Sequence, residues 1–193
     1  MIKYPGGVPY KPVTKKPTIG QTSASNRGMS LEHDLNLSNE YYNEVGIALI
    51  TKRPTPINVV KVDYSKGARI VDAYFEKQST TDYNGIYKGR YLDMEAKSTL
   101  SKNSFPLSNV YEHQLKHLSR VIAQDGLALF IIRFASLDET YLIEAKHIIE
   151  VKTGDKRRSV PLQLIRQHGI LIENGYAPRI DYLKALDHLL ARR

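Results

Sequence analysis

The chain contains no cysteine, which excludes disulfides and thiolate metal ligands. It also lacks any run of eighteen apolar residues and any cleavable signal pattern; the expectation is a cytoplasmic protein with no membrane span. No internal repeat is visible. From Met1 to Ser30 there is no acidic residue, only Lys3, Lys11, Lys15, Lys16 and Arg27 among many Pro, Gly, Ser and Thr. Such a stretch buries too little apolar surface to fold alone, so residues 1–29 are expected to form a flexible basic arm that gains order along phosphates. What remains is ordinary for a globular domain: of 193 residues, 41% are hydrophobic and 25% charged, which fits one domain over 30–193 with a sizeable core. The formal charge of +8 and pI near 9.5 favour an anionic partner. Nucleic acid is preferred to a membrane surface because no Lys/Arg-rich amphipathic helix with a broad apolar face is evident.

The stretch Thr80–Lys97 carries the chemistry. It reads as a hairpin whose second arm, Arg90 to Lys97, alternates: Tyr91, Asp93, Glu95 and Lys97 share one face, and Leu92, Met94 and Ala96 the other. Glu95 and Lys97 then project side by side, roughly 6 to 7 Å apart along the strand, with Asp82 on the preceding arm. A hard divalent cation such as Mg²⁺ takes one or two carboxylates plus waters and phosphate oxygens. Asp82 and Glu95 can supply the carboxylates, and Lys97 can offset charge developing on phosphoryl oxygens. A Glu-x-Lys triplet alone is more often two surface charges on a half-exposed strand; Asp82 at this spacing and the flanking residues strengthen the reading.

Elsewhere the pattern predicts elements around that hairpin. Ser30 is a plausible N-cap, with Glu32 and Asp34 in a first turn that favours acids, for a helix to about Val45. Ile47–Thr51 reads as a buried strand ended by Lys52-Arg53-Pro54-Thr55-Pro56. Ile57–Tyr64 and Ala68–Lys77 form a second strand pair around a basic tip with Lys66 and Arg69. Ser108 can cap a helix to about Gln124, stopped by Asp125-Gly126, with Val110, Tyr111, Leu115, Leu118, Val121 and Ile122 on one face. Gln114 falls within that apolar stripe; left unbonded it would cost about 1 to 3 kcal/mol, so it either satisfies backbone groups or points at a cation. His113 and His117 lie off the stripe and have no HExxH context, which makes them solvated or DNA-facing rather than zinc ligands. Leu127–Phe134 and Thr140–Glu144 read as further strands, Ala145–Val151 as a short helix, and Leu162–Gln167 as another. The loop 152–159, with Lys152, Lys156, Arg157 and Arg158, suits phosphate contact or a solvated turn. Asp181 caps a last helix through Leu190.

Asp82, twelve intervening residues and Glu95-Ala96-Lys97 resemble the PD-(D/E)XK nuclease superfamily. The longer string Ser79-Thr80-Thr81-Asp82-Tyr83-Asn84-Gly85-Ile86-Tyr87-Lys88-Gly89-Arg90 resembles the RecU family of Holliday junction resolvases. So do Ser25-Asn26-Arg27-Gly28-Met29, Lys52-Arg53-Pro54-Thr55-Pro56, Ser104-Phe105-Pro106-Leu107 and Gly175-Tyr176-Ala177-Pro178-Arg179-Ile180-Asp181-Tyr182. Thr81 stands where the superfamily motif has Pro. The resemblance implies a mixed α/β fold like that of restriction endonucleases, a central sheet flanked by helices, with a stalk at about 54–73 entering a four-way DNA junction. It implies a metal shell of Thr80, Asp82, Glu95 and Gln114 for Mg²⁺, with Mn²⁺ as substitute, and Lys97 as the transition-state cation. Glu32 matches the helix acid that reaches the cation in some members of the superfamily, although dipole complementation explains it equally. A two-fold homodimer making symmetric cuts, and a role in regulating RecA, are implied as well. Two other readings are a PD-(D/E)XK endonuclease acting on linear or nicked duplex, and a non-catalytic junction-binding recombination module, which would tolerate loss of Asp82 or Glu95.

Overall fold

The computed structural model describes residues 24–76, 80–154 and 157–192, with side chains from residue 31 onward. The elements run α1 (Ala24–Glu44), β1 (Leu49–Lys52), β2 (Ile57–Asp63), β3 (Arg69–Phe75), β4 (Tyr83–Tyr87), β5 (Arg90–Thr99) and β6 (Ser104–Pro106). A 3₁₀ turn (Leu107–Asn109) leads to α2 (Glu112–Ile122), β7 (Leu127–Phe134), β8 (Glu139–Glu144), α3 (Ala145–Gly154), β9 (Ser159–Pro161), α4 (Leu162–His168), β10 (Ile170–Leu171) and α5 (Tyr182–Leu190). Six strands form one mixed sheet in the order β1-β4-β5-β7-β8-β10. β5 pairs with β7 in parallel, and the other ladders are antiparallel.

Strand β7 shows why the sheet is buried on both sides. Leu127, Leu129 and Ile131 enter one core with Leu31, Leu35 and Tyr42 of α1 and Leu183 and Leu186 of α5. Ala128, Phe130, Ile132 and Phe134 enter the opposite core with Leu115 and Leu118 of α2 and Ile148 of α3. A continuous apolar run is what a strand between two helical layers requires. The expected central sheet flanked by helices is therefore present.

Several boundaries differ from the sequence reading. Ser30 lies inside α1, because Asn26 and Gly28 do not break the helix; an interior Gly costs only about 1 kcal/mol. Glu32 and Asp34 consequently sit mid-helix, beyond the reach of the dipole at its start, and pair instead with Lys52 at 3.3 Å and with Arg133 at 2.8 Å. Of the basic arm, residues 1–23 lie outside the described residues. β1 is an edge strand with only Ile50 buried, so the expectation of a buried strand does not hold. Ser108 falls in the 3₁₀ turn, and α2 starts four residues later. There the Tyr111 amide donates to Gln114 Oε1 at 3.1 Å and the Gln114 amide to the Tyr111 carbonyl at 3.1 Å, closing the first turn reciprocally. Asp181 does cap α5, accepting from the Lys184 amide at 3.3 Å.

β2 and β3 form a separate two-stranded ribbon between two strands that are neighbours in the main sheet. The chain leaves at β1 and returns at β4, with Lys52 opposite Tyr83. The ribbon is the strand pair expected around Ser65-Lys66-Gly67.

Candidate active site

The turn between β4 and β5 consists of Lys88 and Gly89, both with positive φ, 49° and 74°. This geometry matches the right-handed twist of a hairpin. It sets the register Tyr83↔Met94, so Asp82, one residue earlier, comes alongside Glu95. Gly85 holds β4 against β1: a Cβ there would lie 2.2 Å from the Leu49 carbonyl oxygen. The hairpin, its register and its edge partner thus place Asp82 and Glu95 on one face, beneath α2.

Asp82 is fixed by its Oδ2, which accepts the Ala96 amide at 3.0 Å. Glu95 is fully buried. Its Oε1 accepts from Lys97 Nζ at 2.5 Å and from Gln114 Nε2 at 2.6 Å, whereas Oε2 is buried with no donor. Burial, then the neighbouring Asp82 carboxylate, push the Glu95 carboxyl up to about 8, against the pull of Lys97. Desolvation and a like charge both disfavour ionisation, so without a cation this site holds a proton at neutral pH. The Lys97 side chain is about 20% exposed, and its ammonium lies against Glu95 and 5.9 Å from the Tyr111 ring centroid.

These groups fit a hard cation. The donorless Glu95 oxygen beside a second carboxylate is the position a divalent ion would satisfy. Among the described residues no cluster of three or more His, Cys, Asp or Glu is arranged to hold a metal. A pair of carboxylates completed by water and phosphate is the arrangement Mg²⁺ favours. Gln114 satisfies a backbone group, its Oε1 accepting the Tyr111 amide, while its Nε2 donates to Glu95. Thr80, half-buried, stands two residues ahead of Asp82. Glu32 is turned to Lys52, and Tyr83 Oη donates to its carbonyl at 3.3 Å.

A second constellation adjoins the first. Asp93, on the same face of β5 and fully buried, accepts through Oδ2 from Arg53 Nη2 at 2.8 Å and Tyr91 Oη at 2.7 Å, and His117 Nε2 lies 2.8 Å away. Its Oδ1 accepts from the Thr81 hydroxyl. His117 is therefore not simply solvated or DNA-facing. The alternation of β5 put Asp93 on the right face beside Tyr91, but its other partners come from Arg53 just after β1, from α2 and from the loop before β4, at separations no local pattern reveals. Lys152, grouped with the phosphate-facing loop, instead donates to the carbonyls of Leu107 at 3.2 Å and Val110 at 2.7 Å, bracing the approach to α2.

Against known proteins, the model of the Recombination protein U family matches residues 26–188. The chain is 47% identical over 200 residues to the Holliday junction resolvase RecU of Geobacillus kaustophilus (strain HTA426), covering 100% of this chain and 99% of that one. It is 50% identical over 194 residues to the Holliday junction resolvase RecU of Bacillus thuringiensis (strain Al Hakam), covering 96% of each. Among solved structures it is similar to Archaeoglobus fulgidus Hjc, a Holliday junction resolvase from an archaeal hyperthermophile. That match has a TM-score of 0.42 and 8% identity, covering 72% of this chain and 93% of the other. With nearly its full length matched and close to half its residues shared with these relatives, the chain belongs to the Recombination protein U (RecU) family.

Proposed function

We propose that this chain is a Holliday junction resolvase, a Mg²⁺-dependent endonuclease, served also by Mn²⁺, that cuts phosphodiesters symmetrically at four-way DNA junctions as a homodimer. The observation that carries the chemistry is the pairing of Asp82 with Glu95, whose buried Oε2 lacks a donor, beside the Lys97 ammonium. The cation, when bound, polarises the scissile phosphate and lowers the pKa of a water. Asp82, Glu95, Gln114 and Thr80 are the residues that would hold it. The Ala96 amide orients Asp82, and Gln114 and Lys97 orient Glu95. Lys97 is accessible enough to meet a phosphoryl oxygen, where its fixed charge stabilises the negative charge that develops during attack. The resolvase names of full-length relatives support the choice of substrate.

Two exposed apolar regions support the dimer. Leu49 and Ile86 are cross-strand neighbours at the sheet edge and both face solvent, as do Val45 and Ile47 just before β1. The ribbon exposes Val59, Val60, Ile70, Val71, Tyr74 and Phe75. A lone two-stranded ribbon is marginal in water, and contiguous exposed apolar surface marks an interaction site. A two-fold pair would cover such surface and present two equivalent sites to two strands.

The test is cleavage of an immobile four-way junction beside linear duplex, with and without Mg²⁺, for the parent and Lys97→Ala. Metal-dependent, paired cuts in the junction by the parent, and parent-like binding with cutting slowed by about 10²–10³ for Lys97→Ala, are expected. Preferential cutting of linear duplex would overturn the resolvase assignment, and parent-rate cutting by Lys97→Ala would overturn the role of Lys97.

A further inference from the structure

Resting on the cation-dependent reading above, we propose that Asp93 is a positioning residue: it takes over, through Thr81, the backbone-fixing task that a proline before Asp82 would perform. Proline fixes φ at its own position, but this chain has threonine at 81. The Thr81 side chain is buried, and its hydroxyl is tied to Asp93 Oδ1. Asp93 is in turn immobilised through its other oxygen by Arg53, Tyr91 and His117. Arg53 joins that segment to β5, since its backbone amide donates to the Asp82 carbonyl at 2.8 Å while its guanidinium holds Asp93. Tyr91 Oη closes the circuit, accepting from Arg53 Nη2 at 2.9 Å.

The segment before β4 therefore hangs on two anchors. The backbone anchor locates the Asp82 carbonyl, and the Thr81 side chain sets the direction in which the chain presents Thr80 and Asp82. Asp93 also stands only two residues from Glu95 on the same face. With its oxygens engaged by four donors, it is withheld from the cation, leaving Asp82 and Glu95 as the available carboxylates. Outer partners that orient metal-binding groups are worth roughly 10- to 100-fold in metal affinity, and that is the size of effect assigned to this clamp.

Three variants test the proposal: Thr81→Val, which keeps the shape and removes the hydroxyl, Thr81→Ser, which restores it, and Asp93→Asn. Mn²⁺ binding to the protein alone is measured by calorimetry, exchange of the amides of 80–84 by mass spectrometry without metal, and junction affinity by gel shift without metal. Thr81→Val and Asp93→Asn are expected to bind Mn²⁺ about 10-fold more weakly and to exchange 80–84 faster, with Thr81→Ser within about 2-fold of the parent. Junction affinity and melting temperature of the Thr81 variants should stay near the parent's. If Asp93→Asn fails to fold, the Thr81 pair decides alone. Parent-like Mn²⁺ affinity and exchange in Thr81→Val, or equal losses in Thr81→Val and Thr81→Ser, overturn the clamp. Because calorimetry and exchange need no DNA, a parent that cuts linear duplex sinks the resolvase reading and leaves the clamp standing. A parent that binds no Mn²⁺ sinks both.

Discussion

Strands β5 and β3 invert each other. β5 places two carboxylates, Asp93 and Glu95, at zero exposure in the middle of the sheet. β3 holds Val71, Tyr74 and Phe75 in the open, Phe75 at 77% exposure. In both, residues sit where transfer free energy alone would not put them. β5 compensates within the chain, by Lys97, Gln114, Arg53, Tyr91 and His117. β3 has no such cover among the described residues, and this exposure is what the proposed dimer would bury. The contrast separates a part whose buried charges are held from within from a part whose apolar side chains face outward.

The sharpest way to break the contrast is at Lys97. Removing its ammonium by Lys97→Ala should lower the rate of junction cleavage by about 10²–10³, the usual loss for one preorganised group facing transition-state charge, while gel-shift affinity holds. On the exposed side, Phe75→Asp should weaken self-association by about 10- to 100-fold, the equivalent of one large side chain's burial. Sedimentation equilibrium checks this, and the monomer's circular dichroism should stay unchanged.

Next in size is the pH dependence of stability. The Glu95 carboxyl is raised to about 8 in the fold, above its ordinary value, so between pH 4.5 and 8 the folded state binds more protons than the unfolded. Its contribution to stability therefore falls as pH rises through that window. Metal-free Glu95→Gln, which cannot ionise, should lack this decline, and thermal melts at pH 5 and pH 8 should show the parent losing ground to the variant by several degrees. Saturating Mn²⁺ should cancel the difference. The smallest effect belongs to the ribbon tip, where Lys66→Ala should reduce junction affinity a few-fold and lower the salt slope by about 1, as for one phosphate contact.

Much of this was legible in the residues. The hairpin, the alternation along Arg90–Lys97 and the Asp181 cap are local signals whose physics needs no distant partner. The approach of Asp82 to Glu95 follows from the turn and the register. What sequence reading got wrong depended on tertiary context. Ser30 followed by acids imitates a helix start, yet nothing upstream stopped the helix from beginning at Ala24. The apolar Ile47–Thr51 run looked buried, but its strand lies at the sheet edge. Asp93 resembled one more charge on the strand until Arg53, 40 residues earlier, and His117, 24 residues later, closed on it.

The chain's exit from the sheet at Arg53 and its return at Asp82 are tied by a single 2.8 Å hydrogen bond. Whatever is strung between those two points hangs from a fastened clasp. A change in the ribbon's length or in its apolar residues would therefore act above this clasp and leave the hairpin register that brings Asp82 alongside Glu95 untouched.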